Sequence, residues 1–213
     1  MNVPVAVRSL LCQVLGWSDR KRWSDTSELL PDWDERTRMI ARLIPSGAHV
    51  IEFGAGRRVL ERYLPSGCTY IPSDLVDRGQ PTLVCDLNVE PRPDLRPLDL
   101  DTAVFGGVLE YIQDLESLVA WVTRDVSCCI ASYECARTRR SDWQRVQESV
   151  ARARAGWVNT FHEDEFVGLF QREGFTMVHR ELWQTKDGAE PIFAFERVRG
   201  RVATEAATTT AGL

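Results

Sequence analysis

The 213-residue sequence is short of the features that mark metal, disulfide, membrane or nucleic-acid proteins. Its three histidines (His49, His162, His179) form no HExxH motif and no cluster of metal ligands. The six cysteines (Cys12, Cys68, Cys85, Cys128, Cys129, Cys135) make no CxxC pair and no zinc spacing. Several sit inside apolar runs, as Cys85 does in Thr82-Leu83-Val84-Cys85, so they read as buried reduced thiols of a cytoplasmic protein. No apolar run approaches the roughly 20 residues of a membrane span. The stretch Met1–Leu15 is interrupted by Arg8 and has no small-residue cleavage site, so it reads as an amphipathic helix rather than a signal peptide. Long basic runs are missing too: 26 Lys and Arg against 31 Asp and Glu give a formal charge of −5. An extended nucleic-acid footprint is disfavoured by that balance. There is no internal repeat and no Tyr-xxx-Lys pair.

What remains is an ordinary globular composition, 44% apolar and 27% charged, of a length that suits one α/β domain with a few extra elements. Apolar runs at 49–53, 68–73, 82–85, 102–105 and 126–132 predict strands. Amphipathic stretches at 57–64 and 113–124 predict helices between them, and this alternation implies a doubly wound, mostly parallel sheet. Pro91, Pro93 and Pro97 break the stretch 90–98, so a loop is expected there in place of a crossover helix. Residues 1–45 read as an N-terminal helical cap, with a second helix at about 32–43 ended by Pro45 and Gly47. An arginine-rich surface helix is expected at 141–155. A further helix should begin with Thr160 as N-cap and Glu163 closing a capping box, and end at Gly174. Two β-like runs, 175–183 and 191–198, form a hairpin that turns the seven-stranded sheet antiparallel at its end. The tail 199–213 has little to bury and reads as disordered. The main domain is therefore 46–198.

The chemistry concentrates at strand ends. Val50-Ile51-Glu52-Phe53-Gly54-Ala55-Gly56 is an apolar strand that breaks into two glycines, a turn that lets a ligand approach the main chain. The dinucleotide fingerprint GxGxxG fails, because Val59 stands at its third glycine. An acid, Glu52, two residues before the first glycine suits a ligand with a positively charged amine better than a pyrophosphate. Asp74 ends the second strand 18 residues after Gly56, near the ~20-residue offset at which an acid meets ribose hydroxyls. Asp86, past the third strand, can accept from an exocyclic amine, or it can simply form a turn with Asn88. Leu75 and Leu87 can pack against ring faces. Phe105-Gly106-Gly107-Val108-Leu109-Glu110-Tyr111 again allows close backbone approach at a strand's carboxyl end.

Taken together, Glu52-x-Gly54-x-Gly56, Asp74, Asp86, the segment Gly107–Tyr111 and the terminal hairpin resemble the class I S-adenosylmethionine-dependent methyltransferases. The resemblance spans roughly 38–198 and departs at one point, Arg58, where the family often has a third glycine. It implies S-adenosylmethionine as cofactor. Glu52 would hold the methionine ammonium, Gly54, Ala55 and Gly56 would line the methionine and ribose, and Asp74 would bind the ribose diol. Asp86 would bind the adenine amine, with Leu75 and Leu87 against the ring, and Phe105 and Gly106 would border the sulfonium. A small-molecule acceptor, methylated on oxygen, is expected, and a homodimer is allowed. The alternatives are a non-catalytic binding module of the same fold and an NAD(P)-dependent reductase. Acceptor-side candidates are Glu110, Tyr111 and His162, with Tyr133 and Glu134 also following a strand end; His49 and His179 read as structural.

Overall fold

A computed structural model describes residues 23–25, 29–78, 81–136, 152, 155–186 and 188–198. Its core is a seven-stranded sheet in the order β3-β2-β1-β4-β5-β7-β6. The strands are β1 (His49–Phe53), β2 (Thr69–Asp74), β3 (Leu83–Val84), β4 (Thr102–Gly106), β5 (Cys128–Ser132), β6 (Phe175–Thr185) and β7 (Gly188–Arg197). The first five are parallel, and the β6–β7 hairpin adds β7 antiparallel to β5.

Among the described residues three α-helices lie on the two faces: α1 (Asp34–Arg42), α2 (Leu115–Thr123) and α3 (Glu163–Arg172). Side chains alternate across a strand, so each central strand feeds two cores. Val50, Val104 and Ile130 meet Met39, Ile40 and Ala41 of α1 on one face. Ile51, Phe53, Ala103, Phe105 and Ala131 meet α2 and α3 on the other. In α2, Leu115, Leu118, Val119 and Val122 make the buried stripe at helical spacing, and the Asp114 side chain caps the helix by accepting from Ser117 N at 2.9 Å.

The helix expected at 57–64 is replaced by turns and a single 3₁₀ turn, Leu60–Arg62. The reason is local. Gly54, Gly56 and Arg58 all carry positive φ (70°, 50° and 55°), and alternating left-handed residues cannot propagate an α-helix. Arg57 and Arg58 therefore do not open a helix. Arg57 pairs with Asp34 of α1, and Arg58 pairs with Glu61 at 2.9 Å and lies over the Tyr70 ring.

The capping box sits two residues later than expected: His162 is the N-cap of α3, and its N–H donates to Glu165 Oε2 at 2.8 Å. α3 then runs to Arg172, and Gly174, with φ 77°, follows it. The third strand is only two residues long, whereas β6 and β7 extend to the turn around Lys186. The expected helix at 1–15, most of 141–155 and the tail 199–213 lie outside the described residues. No described helix is long and apolar enough to cross a membrane.

Candidate active site

Strand order reverses between β1 and β4, and open α/β sheets bind ligands in the crevice outside the carboxyl ends of such a switch point. A cavity of about 270 Å³ lies there. Its lining comes from the loops after β1, β2, β3 and β4, from α1, from Trp23, Leu29 and Leu30 and from Gly156–Val158.

Glu52 ends the face of β1 that packs under α1, and its side chain is almost fully buried at 7% exposure. The Tyr70 hydroxyl, one pleat back on β2, donates to Glu52 Oε2. Burial pushes the Glu52 carboxyl up from 4.5 to about 8; the Tyr70 hydrogen bond and the nearby charges of Arg36 and Arg58 oppose this, while Asp74 adds to it. The acid is thus a buried carboxyl that desolvation holds protonated near pH 7. The turn after it needs glycine at 54: a Cβ there would stand 2.4 Å from Val108 Cγ2, at a φ that side chains rarely adopt.

Asp74, 5% exposed at the end of β2, clamps the same turn by accepting from Gly56 N at 2.8 Å. Its carboxylate is shared with Arg78, whose Nε donates to Oδ2 at 3.1 Å and whose Nη2 also bonds the Trp23 carbonyl. Asp86 follows β3 and accepts from Asn88 N at 3.0 Å. Asn88 in turn bonds the Tyr111 carbonyl and Gln113 N, so the loops after β3 and β4 are stitched together. Leu75 and Leu87 flank these acids along the same wall. Two apolar side chains between two carboxylates, beside an approachable backbone, can take a purine ring and its ribose.

The other end of the cavity rests on a buried charge cluster. Arg36, 7% exposed, donates to Glu190 Oε1 at 3.1 Å and to the Gly106 carbonyl at 3.0 Å. Its guanidinium lies 5.6 Å from the Trp33 ring and 5.3 Å from the Trp183 ring. A Cβ on Gly107 would stand 2.4 Å from Arg36 Nη1, so this ion pair also depends on a glycine. Glu110, 2% exposed, accepts from Glu134 N at 2.9 Å through Oε1, while its Oε2 is buried with no partner. Burial, then the charge of Glu190, pushes its carboxyl up to about 7. Above the cluster, Trp157 donates through Nε1 to the Tyr111 hydroxyl at 3.2 Å, and Trp23 meets the Tyr111 ring edge-on at 4.9 Å. Asn159 holds this roof to the loop after β4 by donating to the Leu109 and Ile112 carbonyls.

The structure thus brings Glu52, Gly54, Ala55, Gly56, Asp74, Leu75, Asp86, Leu87, Gly106, Glu110 and Tyr111 to one cavity. Four expected residues stand elsewhere. The Phe105 side chain alternates away from the cavity and stacks on Phe53 at 5.0 Å in the core. His162 caps α3, with Nδ1 3.2 Å from the Ala136 carbonyl. Tyr133 is buried beneath the site, stacked on Phe166, and Glu134 contributes its backbone N–H rather than its side chain. His49 bonds the Asp99 carbonyl at the far end of β1, as befits a structural residue. Cys85, Cys128 and Cys129 are buried free thiols, whereas Cys68 and Cys135 are half-buried, and no described group of His, Cys, Asp and Glu can hold a metal.

Sequence reading missed Arg36, Tyr70, Arg78, Glu190 and the tryptophans. One signal was available for Arg36. It occupies the buried stripe of α1, three and four residues before Met39 and Ile40, where an unpaired arginine is not tolerated. Glu190 carried no local signal, since its partner is 154 residues away.

The profile of a family described as a methyltransferase domain matches residues 22–180 of the sequence. No curated protein matches the chain in sequence. Among solved structures, an O-methyltransferase candidate from Nostoc punctiforme is similar at TM-score 0.62 and 11% identity, over 92% of this chain and 69% of that one. Mitomycin 7-O-methyltransferase is similar at TM-score 0.60 and 16% identity, over 90% of this chain and 67% of that one. The 1,6-didemethyltoxoflavin N1-methyltransferase of Burkholderia thailandensis, solved with its substrate and S-adenosylhomocysteine, also has TM-score 0.60 at 16% identity, over 93% and 92%. At such identities these likenesses bear on fold alone; the profile match covers most of the chain and shows that it belongs to the class I S-adenosylmethionine-dependent methyltransferase family.

Proposed function

We propose that this protein transfers a methyl group from S-adenosylmethionine to an oxygen atom of a small molecule. One observation carries the reading: three carboxylates, Glu52, Asp74 and Asp86, converge around a glycine turn at the switch point of the sheet. Glu52 would hold the methionine ammonium, Asp74 the ribose hydroxyls and Asp86 the adenine amine, with Leu75 and Leu87 against the ring. Gly54, Ala55, Gly56 and Gly106 supply the approachable backbone. When bound, the cofactor supplies a methyl carbon already activated by the sulfonium charge. The chain's own task is then alignment and exclusion of water. Trp23 and Trp157 close over the acceptor end, and Glu110 and Tyr111 face it. The modest cavity favours a small acceptor, and its acidic lining disfavours a phosphate-bearing one. Oxygen as the acceptor atom is favoured by analogy with mitomycin 7-O-methyltransferase and the Nostoc structure, and the toxoflavin enzyme, which methylates nitrogen, is the counter-example.

Calorimetric titration with S-adenosylhomocysteine and, separately, NADPH tests the reading. Binding of the first and not the second is expected; the reverse result would replace it with a reductase. The pH dependence is also specified. Below pH 8 Glu52 is protonated and must release its proton to meet an ammonium. Affinity is therefore expected to rise by up to ~10-fold per pH unit towards pH 8 and to level off once Glu52 is ionised. Calorimetry at pH 7 in two buffers of different ionisation enthalpy should detect about one proton released, and Glu52→Gln should abolish that release. A flat profile from pH 6 to 8 would remove the ammonium contact. For the ligand-free fold, a carboxyl raised from 4.5 to about 8 favours the folded state less as pH rises through that window.

A further inference from the structure

The carboxylate and guanidinium side chains lining the cavity, among the described residues, are six acids and three arginines: Asp34, Glu52, Asp74, Asp86, Glu110 and Glu190 against Arg36, Arg57 and Arg78. Each arginine is taken by one acid. Arg57 pairs with Asp34, Arg78 with Asp74 and Arg36 with Glu190. Three acids are left over. Under the function proposed above, on which this inference rests, Glu52 and Asp86 face the two amines of the cofactor. Glu110 is left with nothing: one oxygen takes a backbone N–H and the other is buried without a partner. A buried carboxylate oxygen with no donor is costly unless a ligand supplies one.

The surroundings of Glu110 narrow what that ligand is. Trp23, Trp33, Tyr111 and Trp157 line the same cavity, and rings whose faces carry negative charge attract flat cations. Arg36 offsets the charge of Glu110 only in part, because its two terminal nitrogens bond Glu190 and the Gly106 carbonyl. An anionic acceptor would meet both Glu110 and Glu190. The sulfonium of the donor is itself a cation, so a second cation is tolerated here only because the lining carries surplus negative charge.

We infer that the acceptor is a flat aromatic molecule bearing a protonated or strongly N–H-donating nitrogen, and that Glu110 Oε2 receives that nitrogen's hydrogen bond. The nitrogen is the group recognised; the atom methylated lies elsewhere on the ring. Glu110 is thus a specificity residue at the acceptor end.

The test is calorimetry with four probes on the wild-type chain, with and without saturating S-adenosylhomocysteine: 4-aminoquinoline (flat and cationic), 1-naphthol (flat and neutral), 1-naphthoate (flat and anionic) and cyclohexylamine (cationic, not flat). 4-Aminoquinoline is expected to bind ~10-fold or more tighter than 1-naphthol and cyclohexylamine, with 1-naphthoate weakest. Glu110→Gln should reduce the advantage over 1-naphthol to within ~3-fold. Equal binding of 1-naphthoate, or an advantage that survives Glu110→Gln, overturns the inference.

A pH series on the wild type keeps the test intact should that variant not fold. Glu110, with its carboxyl near 7, is protonated by pH 5.5, so the amine's advantage should shrink steadily from pH 8 downward. The charged and titratable groups that face Glu110 are Glu190, Arg36, Tyr133 and Cys135. Burial raises Tyr133 and Cys135, which keeps both neutral throughout this range. Glu52 titrates in the same window, so Glu52→Gln is run in parallel and should retain the effect. A pH-independent advantage overturns the inference. Failure of S-adenosylhomocysteine to bind while the amine preference persists would refute the methyltransferase reading alone. Cofactor binding without that preference would refute only the acceptor class.

Discussion

Asp74→Ala is expected to raise the dissociation constant for S-adenosylhomocysteine by ~100-fold or more. Two losses combine. The Gly56 N–H loses the acceptor that shapes the turn, and the proposed ribose contact disappears with it. Hydrogen bonds to a charged group are worth about 1.5–3 kcal/mol each, and 1.4 kcal/mol is a factor of ten. The variant also leaves Arg78, 11% exposed at its side chain, without its carboxylate. Breaking one side of a buried pair costs about 3–5 kcal/mol, and the bond from Arg78 to the Trp23 carbonyl places the loss at the lower end. Asp74→Asn retains an oxygen for Gly56 N and should show a smaller loss of affinity. Calorimetry reports the first quantity and urea unfolding the second. An unchanged affinity in a folded Asp74→Ala protein would remove the ribose assignment.

The largest effect on stability is expected at Phe166. Its ring, fully buried, stacks on Tyr133 at a centroid distance of 4.4 Å and lies 5.3 Å from Phe193 and 5.6 Å from Phe170. Phe170 and Phe195 stack at 4.0 Å on its far side. Interiors at this density collapse only partly around a lost ring, so Phe166→Ala should cost about 3–5 kcal/mol. Out of a total of about 5–15 kcal/mol, that is a large share. At ~2–4 °C per kcal/mol for a chain of this size, the melting midpoint should fall by roughly 10 °C. Urea unfolding should show a lower midpoint with an unchanged slope. A loss below about 1 kcal/mol would mean that the aromatic cluster repacks freely. The cluster also reaches the cavity roof, because the Tyr133 hydroxyl donates to Asn159 Oδ1 at 2.7 Å and accepts from Phe161 N. Phe166→Leu, which keeps most of the volume, should restore much of the stability.

The sheet was legible because each central strand is a short apolar run bounded by turn residues, and five such runs at regular intervals leave few arrangements. The antiparallel end was legible because only a short turn joins the last two runs, too little for a parallel crossover. That turns replace the expected helix after β1 was not legible. Arg57–Leu64 has the right periodicity, but the positive φ of Arg58 near its start, following those of Gly54 and Gly56 in the turn before it, overrides it. Periodicity reports which side chains seek burial and says nothing of the dihedrals that the turn imposes. The capping box failed differently: Thr160 and His162 both stand three residues before a glutamate, and packing of Phe166 and Phe170 selected the later start.

By itself the sequence determined where along the chain the strands fall and the acid that stands at or just past each of three strand ends, because both are local: a residue's place along its own strand depends on its immediate neighbours. Which of those acids stays uncompensated was decided by the tertiary structure alone. Arg36 reaches Glu190 across 154 positions, Arg57 reaches Asp34 across 23, and Phe105 turns into the core while Gly106 faces the cavity. A guanidinium neutralises whichever carboxylate folding brings within reach, and that proximity is a property of the packed sheet and helices. The strand ends therefore pointed to the cofactor, and the pairing of charges across the fold singled out Glu110.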